Sequence, residues 1–313
     1  MTAEFTLLDG GMGRLLERLG APFRLPEWSA LSLIEAPHYV SAAHRAYVEA
    51  GADIITTNSY GLVPHMIGDE RFWRDARALA DRAGAIAREV ADAAGRGVRV
   101  AGSLPPLFES YRPQLFVADE APRRLAELVA GLAPHVDLWL IETQSSTREA
   151  LTALAAVAGH GKPVYVSYTL RDEDGRRGPP ELRSGEPVSE AAATTLANGA
   201  DAILFNCSQP EAMGEAVIAA RAVIDASGRR DVGLGVYANA FMPEPPSDTP
   251  YAGISIMRDD LDPAHYLRWI ERWLADGANI VGGCCGIGPE HIEAIARLRT
   301  PSAPVEPSRH GVA

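Results

Sequence analysis

The 313-residue sequence predicts an α/β fold and, within that class, a single-domain (β/α)8 TIM barrel. Eight short apolar runs alternate with eight longer stretches in which apolar residues recur at helical spacing. Three of these stretches are followed by Gly-Ala-Asp or Gly-Ala-Asn, where glycine suits a helix end before a tight return. The segments after several strands are long and rich in proline, as expected at the functional face of a barrel.

The predicted elements follow one another in a regular order. The strands cover residues 6–8, 52–57, 98–101, 136–141, 164–168, 202–205, 232–237 and 279–281. The helices lie near residues 37–50, 71–94, 120–133, 146–158, 188–198, 210–227, 263–275 and 289–298. The long segments after strands are residues 59–70, 104–119, 171–187 and 239–262. A doubly wound sheet of eight strands has the same alternation, so periodicity alone leaves that architecture open.

Composition limits the class of protein. The chain has 29 basic and 41 acidic residues, a net charge of −12, and no basic stripe, so nucleic acid is not an expected partner. No apolar run approaches the roughly 18 residues that a membrane-spanning helix needs. The first residues also lack the pattern of a signal peptide, and we therefore expect a cytoplasmic protein. Residues 1–300 are expected to form the barrel and residues 301–313 a disordered tail.

All three cysteines follow predicted strands. Cys207 comes after the sixth strand, and Cys284 and Cys285 come after the eighth. These strand ends open into one mouth of a barrel, so we expect the three sulfur atoms to converge there. Three thiolates suit tetrahedral Zn²⁺ and leave a fourth position for a substrate, which is typical of catalytic zinc sites. The alternative is that they are small buried apolar residues, as free cysteines usually are.

Other polar residues also stand at strand ends. Asp9 ends the first strand and Glu142 the fourth, where apolar strands reach the mouth of the barrel. Either carboxylate can bind a cationic group such as an α-amino group, and the alternative is a role in capping or fixing a loop. Asn58, Ser103 and Asn239 follow the second, third and seventh strands and are expected to face the same mouth, although a structural role is commoner for such residues.

Several other kinds of site are disfavoured by the sequence. The run from Gly11 to Leu16 ends in leucine and does not match a dinucleotide-binding motif, and no phosphate-binding loop is present. The histidines show no paired spacing for a metal and are expected to be structural. The single lysine, Lys162, precedes the fifth strand and is therefore expected on the opposite face, which argues against a Schiff base.

These motifs together resemble those of the homocysteine S-methyltransferase family over nearly the whole chain. The matching stretches are Asp9-Gly-Gly-Met-Gly, Trp28-Ser-Ala, Ala50-Gly-Ala-Asp-Ile-Ile-Thr-Thr-Asn-Ser-Tyr, Glu142-Thr, Asn206-Cys and Gly282-Gly-Cys-Cys-Gly followed by Pro289-Glu-His-Ile. Members of this family are (β/α)8 barrels that bind zinc through three cysteines and methylate the sulfur of homocysteine to give methionine. The resemblance therefore implies a methyltransferase of class EC 2.1.1 with Zn²⁺ on Cys207, Cys284 and Cys285.

The resemblance also implies how the amino acid is bound. Asp9 and Glu142 stand at the positions of the family's acidic pair and are expected to hold the amino group of homocysteine. Backbone amides near Gly10 and Gly11 are expected to help seat the amino acid. The full set of candidate substrate-binding residues is Asp9, Gly10, Gly11, Asn58, Ser103 and Glu142.

Departures from the family pattern bear on the methyl donor. The segment after the third strand begins Gly102-Ser-Leu-Pro-Pro, where members that use sulfonium donors tend to have Gly-Ser-Ile/Val-Gly. Thr143 follows Glu142 where the betaine-dependent branch has tyrosine, and that branch also carries a long C-terminal extension. Folate-dependent members need further domains. By elimination we expect S-methylmethionine or S-adenosylmethionine as the donor.

Other functions remain open from the sequence. The chain could bind and activate homocysteine and present it to a separate methyl-corrinoid protein, with the altered residues 102–113 as a docking surface. It could methylate another thiol or a selenol. It could also be a barrel lyase or hydrolase whose cysteines are structural, in which case replacing Cys284 would leave activity and metal content unchanged.

Overall fold

The computed structural model describes residues 4–173, 178–242 and 256–299. Its strands are β1 Thr6–Leu7, β2 Ile54–Thr56, β3 Arg99–Leu104, β4 Leu138–Gln144, β5 Val164–Tyr168, β6 Ala202–Asn206, β7 Gly233–Tyr237 and β8 Ile280–Val281. All are parallel, each pairs with the next from β2 to β8, and β8 pairs with β1. A parallel bridge between Leu8 and Ile54 joins β1 to β2 and completes the ring. The predicted (β/α)8 barrel is confirmed, and a doubly wound sheet is excluded.

Helices surround this ring. They are α1 Met12–Arg18, α2 Ser29–Glu35, α3 Pro37–Glu49, α4 Pro64–Ile67, α5 Asp69–Ala93, α6 Ala121–Leu132, α7 Thr147–Val157, α8 Val188–Ala197, α9 Pro210–Ser227, α10 Pro263–Ala275 and α11 Pro289–Ala296. Eight of them match the predicted helices, whereas α1, α2 and α4 are additional. Gly51, Gly199 and Gly277 have φ angles of +104°, +90° and +110°, as their place between helix and strand predicted.

The apolar core has two layers because successive strand residues point to opposite faces. In β4, Leu138 and Leu140 point into the barrel, whereas Trp139 and Ile141 pack outward against the helices. The inner layer is filled by side chains from six of the strands and from Leu8, so the barrel interior is a packed core rather than a channel. The functional side chains therefore lie above this core, where the strands end.

Each even-numbered strand is fastened to the strand before it by one polar side chain. The residues that immediately precede β2, β4, β6 and β8 are Asp53, Asp137, Asp201 and Asn279. Each of these residues makes two hydrogen bonds with one partner residue on the preceding strand. Its backbone N–H donates to the partner's carbonyl, and its side-chain oxygen accepts from the partner's N–H at 2.7–2.8 Å. The partners are Leu7, Val100, Val164 and Leu234. We call these four pairs the strand brackets, and they lie at the amino ends of the strands.

Three further sequence predictions concern the C-terminal tail, membrane-spanning helices and Lys162. The predicted tail, residues 301–313, lies outside the described residues, as do parts of the segments 171–187 and 239–262. Among the described residues, no helix is both long and apolar enough to cross a bilayer. Lys162 donates to the carbonyl of Val136 before β4 and β5 begin, on the bracket side of the barrel.

Candidate metal centre and amino-acid site

The structure brings the three cysteines together at the carboxyl ends of β6 and β8. All three Sγ atoms lie within 4.8 Å of one another. Cys207 and Cys284 are joined by a disulfide, and the free Cys285 has its Sγ 4.0 Å from that of Cys207. Three sulfur donors this close suit a thiolate-binding ion such as Zn²⁺ once the disulfide is reduced.

Local backbone geometry places these cysteines. Cys207 has a φ angle of +48°, in the left-handed region that non-glycine residues seldom occupy, so the chain turns sharply as it leaves β6. The cysteines after β8 lie against the loop that follows β1. A Cβ atom on Gly11 would lie 2.5 Å from the carbonyl oxygen of Cys284, and one on Gly283 would lie 2.1 Å from Ile287. Glycine is therefore required where these two loops meet.

Asp9 is a buried carboxylate at the end of β1. Its two oxygens accept hydrogen bonds from Thr56, one from the backbone N–H at 2.7 Å and one from the hydroxyl at 2.9 Å. Burial raises the pKa of Asp9 to about 7, the bonds from Thr56 oppose this, and the nearby charge of Glu142 adds to it. The side chain is thus fixed in orientation, and its burial favours the protonated form.

Glu142 is the second buried carboxylate, near the end of β4. The Ser103 hydroxyl donates to one oxygen at 2.5 Å, and the Tyr237 hydroxyl lies 3.4 Å from the other. Burial raises the pKa of Glu142 to about 7, although both hydroxyl groups lower it. The charge of Glu142 in turn contributes to raising the pKa of the Cys285 thiol to about 11, after burial itself, so this carboxylate lies beside the cysteine cluster.

The remaining predicted site residues have partners within the fold. Ser103 orients Glu142, whereas Asn58 donates to the carbonyl of Ser29 at 3.0 Å and so holds a loop. The Asn239 side-chain oxygen accepts from Gln209 at 3.3 Å. The N–H of Gly11 donates to the carbonyl of Ile287, so that amide already has a partner.

Gly10 is closely packed rather than exposed. A Cβ atom there would lie 2.3 Å from the carbonyl oxygen of Ile287 and 2.8 Å from the ring of Tyr47. The Tyr47 hydroxyl in turn lies 3.0 Å from the carbonyl of Gly11 and 3.1 Å from that of Ile287. The two glycines thus let the loop after β1 approach the loop after β8.

Sequence reasoning missed three residues that shape this site. Thr56 holds Asp9, Tyr237 faces Glu142, and Asn206 contacts both Thr143 and Cys284. Each is the last residue of its strand, in β2, β7 and β6 respectively. A search for polar residues within one position of each predicted strand end would have found all three.

Comparison with known proteins places this site in context. Residues 6–299 match the family model described as homocysteine S-methyltransferase. Homocysteine S-methyltransferase 4 of Zea mays is 27% identical over 320 residues, covering 93% of this chain and 88% of the maize protein.

Solved structures show the same fold. The metallated form of the homocysteine methyltransferase MmuM from Escherichia coli has a TM-score of 0.72 at 24% identity, covering 94% of this chain and 96% of that chain. Its oxidized form has a TM-score of 0.73 at 23% identity over the same shares of the two chains. The carboxyl transferase domain of pyruvate carboxylase from Rhizobium etli is a more distant barrel, with a TM-score of 0.52 at 12% identity, covering 95% of this chain and 47% of that chain.

Proposed function

Because the chain belongs to the homocysteine S-methyltransferase family, we propose that it transfers a methyl group from a sulfonium donor to the sulfur of L-homocysteine, giving methionine. The observation that carries the proposal is the convergence of three cysteine sulfurs beside a buried carboxylate that can receive an amino group. The donor is assigned to S-methylmethionine or S-adenosylmethionine by the elimination of betaine and folate from the sequence pattern. A thiol substrate other than homocysteine would need the same amino-acid contacts.

We assign the metal as Zn²⁺ and its ligands as Cys207, Cys284 and Cys285. When bound, zinc lowers the pKa of a coordinated thiol, so that the substrate sulfur is a thiolate at neutral pH. The disulfide between Cys207 and Cys284 has to be reduced for both sulfurs to act as ligands. A reducing compartment such as the cytoplasm, which the odd, clustered set of cysteines favours, would keep these sulfurs available as thiolates.

The carboxylates position the amino acid. In the proposed complex, Asp9 and Glu142 accept hydrogen bonds from the substrate ammonium group, while Thr56 and Ser103 keep the two carboxylates aimed. The burial that raises both pKa values also removes competing water, so an ammonium group gains more from these charges than it would at the surface. The substrate thiol would lose its proton to solvent as it binds, so this scheme assigns no described histidine the role of a base.

The direct test supplies reduced, zinc-loaded protein with homocysteine and a panel of methyl-labelled donors: S-methylmethionine, S-adenosylmethionine, betaine and a methylfolate. We expect label in methionine from a sulfonium donor, and none when Cys285→Ser replaces the wild type. Label from betaine or methylfolate alone would overturn the donor assignment. Bound zinc and homocysteine without transfer from any donor would instead support a subunit that passes its thiolate to a methyl-corrinoid partner.

A further inference from the structure

Asn206 links the cysteine cluster to the strand that carries Glu142. It is the last residue of β6 and is fully buried. Its Oδ1 accepts from the backbone N–H of Thr143 at 3.0 Å and from the Ser167 hydroxyl at 2.7 Å. Its Nδ2 donates to the Thr143 hydroxyl at 2.8 Å and lies 3.9 Å from the Sγ of Cys284. One side chain thus contacts β4, β5 and the cysteine loop that follows β8.

The orientation of this amide is fixed by chemistry. A backbone N–H can only donate, so the group that faces the N–H of Thr143 has to be the oxygen of Asn206. The NH₂ group then has to face the Thr143 hydroxyl and Cys284, because the two ends of the amide point in opposite directions. A swap of the two ends would set N–H against N–H and is excluded.

The backbone on both sides of the contact between Asn206 and Thr143 has an unusual conformation. Thr143 and Cys207, the neighbours of Glu142 and Asn206 along the chain, have φ angles of +58° and +48°. Non-glycine residues hold such a backbone only where surrounding contacts enforce it. The two bonds between Asn206 and Thr143 are such contacts, and they hold the irregular stretch of β4 next to Glu142, where the strand register shifts.

We propose that Asn206 is a positioning residue of the metal centre: its Nδ2–H donates to the Cys284 thiolate while its bonds to Thr143 set the backbone of β4 next to Glu142. The inference rests on the proposed metal site. A hydrogen bond to a ligating thiolate disperses its negative charge and fixes its direction, as partners of metal ligands commonly do. Asn206 therefore couples the position of the sulfur to that of the carboxylate that receives the amino group.

The variant Asn206→Asp tests the inference, because it keeps the size of the side chain and reverses one contact. The oxygen that accepts from Thr143 and Ser167 is retained, and the Thr143 hydroxyl can donate to the new oxygen. The contact with Cys284 changes from attraction to repulsion, because the new carboxylate brings a buried negative charge next to the sulfur. We expect the dissociation constant for Zn²⁺, measured by chelator competition on reduced protein, to rise about 10–100-fold.

Cobalt substitution supplies a readout that a purely structural role would not move. In the Co²⁺ protein, loss of the hydrogen bond makes the thiolate a stronger electron donor, so the sulfur-to-cobalt charge-transfer band should shift to longer wavelength in Asn206→Asp. The matched control is Asn198→Asp on the exposed end of α8, where the amide donates to the carbonyl of Thr194. The control should leave both the affinity and the band unchanged.

A measurement on the wild type covers the case in which Asn206→Asp fails to fold. Protein labelled with ¹⁵N-asparagine and loaded with ¹¹³Cd should show scalar coupling between a side-chain amide proton of Asn206 and the metal, transmitted through sulfur. Unchanged affinity and band in Asn206→Asp, or absence of the coupling, overturns the inference alone. A reduced wild type that binds no metal overturns the proposed metal site and this inference with it.

Discussion

Asp9 and Glu142 are held in the folded protein at a cost in free energy. An isolated carboxylate loses hydration on burial, and its raised pKa measures that loss. For Glu142, the rise from 4.5 to about 7 corresponds to about 3 kcal/mol at a pH above 7. Three hydroxyl groups partly offset the cost, from Thr56, Ser103 and Tyr237. A site that destabilises its own fold in this way is expected where the charge is needed for a ligand.

The first prediction concerns the stability of the ligand-free protein. A carboxyl group with a raised pKa binds more protons in the folded state than in the unfolded state, so its cost is absent below pH 4.5 and complete above pH 7. Replacing Glu142 with Gln keeps the Ser103 contact and should raise the free energy of unfolding at pH 8 by about 1–3 kcal/mol. Urea unfolding at pH 4 and pH 8 measures it, and an equal gain at both values would contradict it.

A matched surface change serves as the control for this prediction. Glu215 is exposed on α9, so Glu215→Gln should alter the free energy of unfolding by less than about 0.5 kcal/mol at either pH.

The second prediction concerns binding of the amino group. Both carboxylates ionise near pH 7, so the affinity for an ammonium group should rise with pH across that value. The product methionine is the appropriate ligand because, unlike homocysteine, it has no thiol to titrate. Calorimetry should show about 10-fold tighter binding of methionine at pH 8 than at pH 6. Glu142→Gln should weaken binding and flatten this dependence, and an unchanged pH profile would remove Glu142 from the amino-group site.

For single residues, the sequence predicted a position in the site well where residue type and position at a strand end are enough to identify it. The three cysteines and the two carboxylates were found because strand ends of a barrel share one face. Thr56, Tyr237 and Asn206 were not found, since their roles depend on which strand ends face one another and at what height. Asn58 stands at the predicted strand end and donates to the Ser29 carbonyl, so its part in substrate binding stays a prediction.

At the scale of elements, the strand brackets explain how short strands keep their register. β1 and β8 have only two residues each, yet each lies in a bracketed pair of strands. At the start of a strand, a backbone N–H would otherwise need a carbonyl from a longer neighbouring strand. The side-chain oxygen of the bracket accepts this hydrogen bond instead. Asn279 does this at β8 with an amide oxygen instead of a carboxylate.

The third prediction tests a bracket. Asp201→Ala leaves the N–H of Val164 without its side-chain acceptor and should lower the free energy of unfolding by about 1–3 kcal/mol. Asp201→Asn keeps an acceptor oxygen, as Asn279 does naturally, and should remain within about 1 kcal/mol of wild type. Denaturant unfolding of both variants decides it, and equal losses in the two would show that charge, not the hydrogen bond, matters at this position.

The sequence pattern predicted the long helices, in which apolar residues recur at helical spacing, but it missed three short helices. α1, α2 and α4 have seven, seven and four residues, too few for a helical repeat to be read against its surroundings. None of the three has a side chain capping its first turn, although α4 begins at Pro64. Their formation depends on tertiary packing, which the sequence pattern does not display.

At the scale of the whole molecule, closure of the barrel was the property that periodicity alone could not decide. Whether eight alternating units form a ring or an open sheet depends on the pairing of β1 with β8 and on the bridge between Leu8 and Ile54. The first of these contacts joins the two ends of the fold, and local periodicity carries no information about it. Closure is also what brings the loops after β1, β6 and β8 to one site.

The fourth prediction is that the metal stabilises the whole molecule. Zinc at about 1,000 times its dissociation constant should add about 4 kcal/mol to the free energy of unfolding and raise the Tm of reduced protein. Protein with the Cys207–Cys284 disulfide intact should show a much smaller rise, as should Cys285→Ser, because each lacks a complete set of thiolates. Differential scanning calorimetry with and without zinc and reductant measures the three cases, and equal rises in all would place the stabilising metal elsewhere.

The strand brackets also bear on how such an enzyme changes over generations. They fasten the strands from the end of the barrel opposite the cysteines, so the register does not depend on the loops that surround the site. Insertions and substitutions in those loops leave the inherited scaffold intact. A loop such as residues 104–119 can therefore change in sequence and length over generations while the strand register beneath it is inherited unchanged.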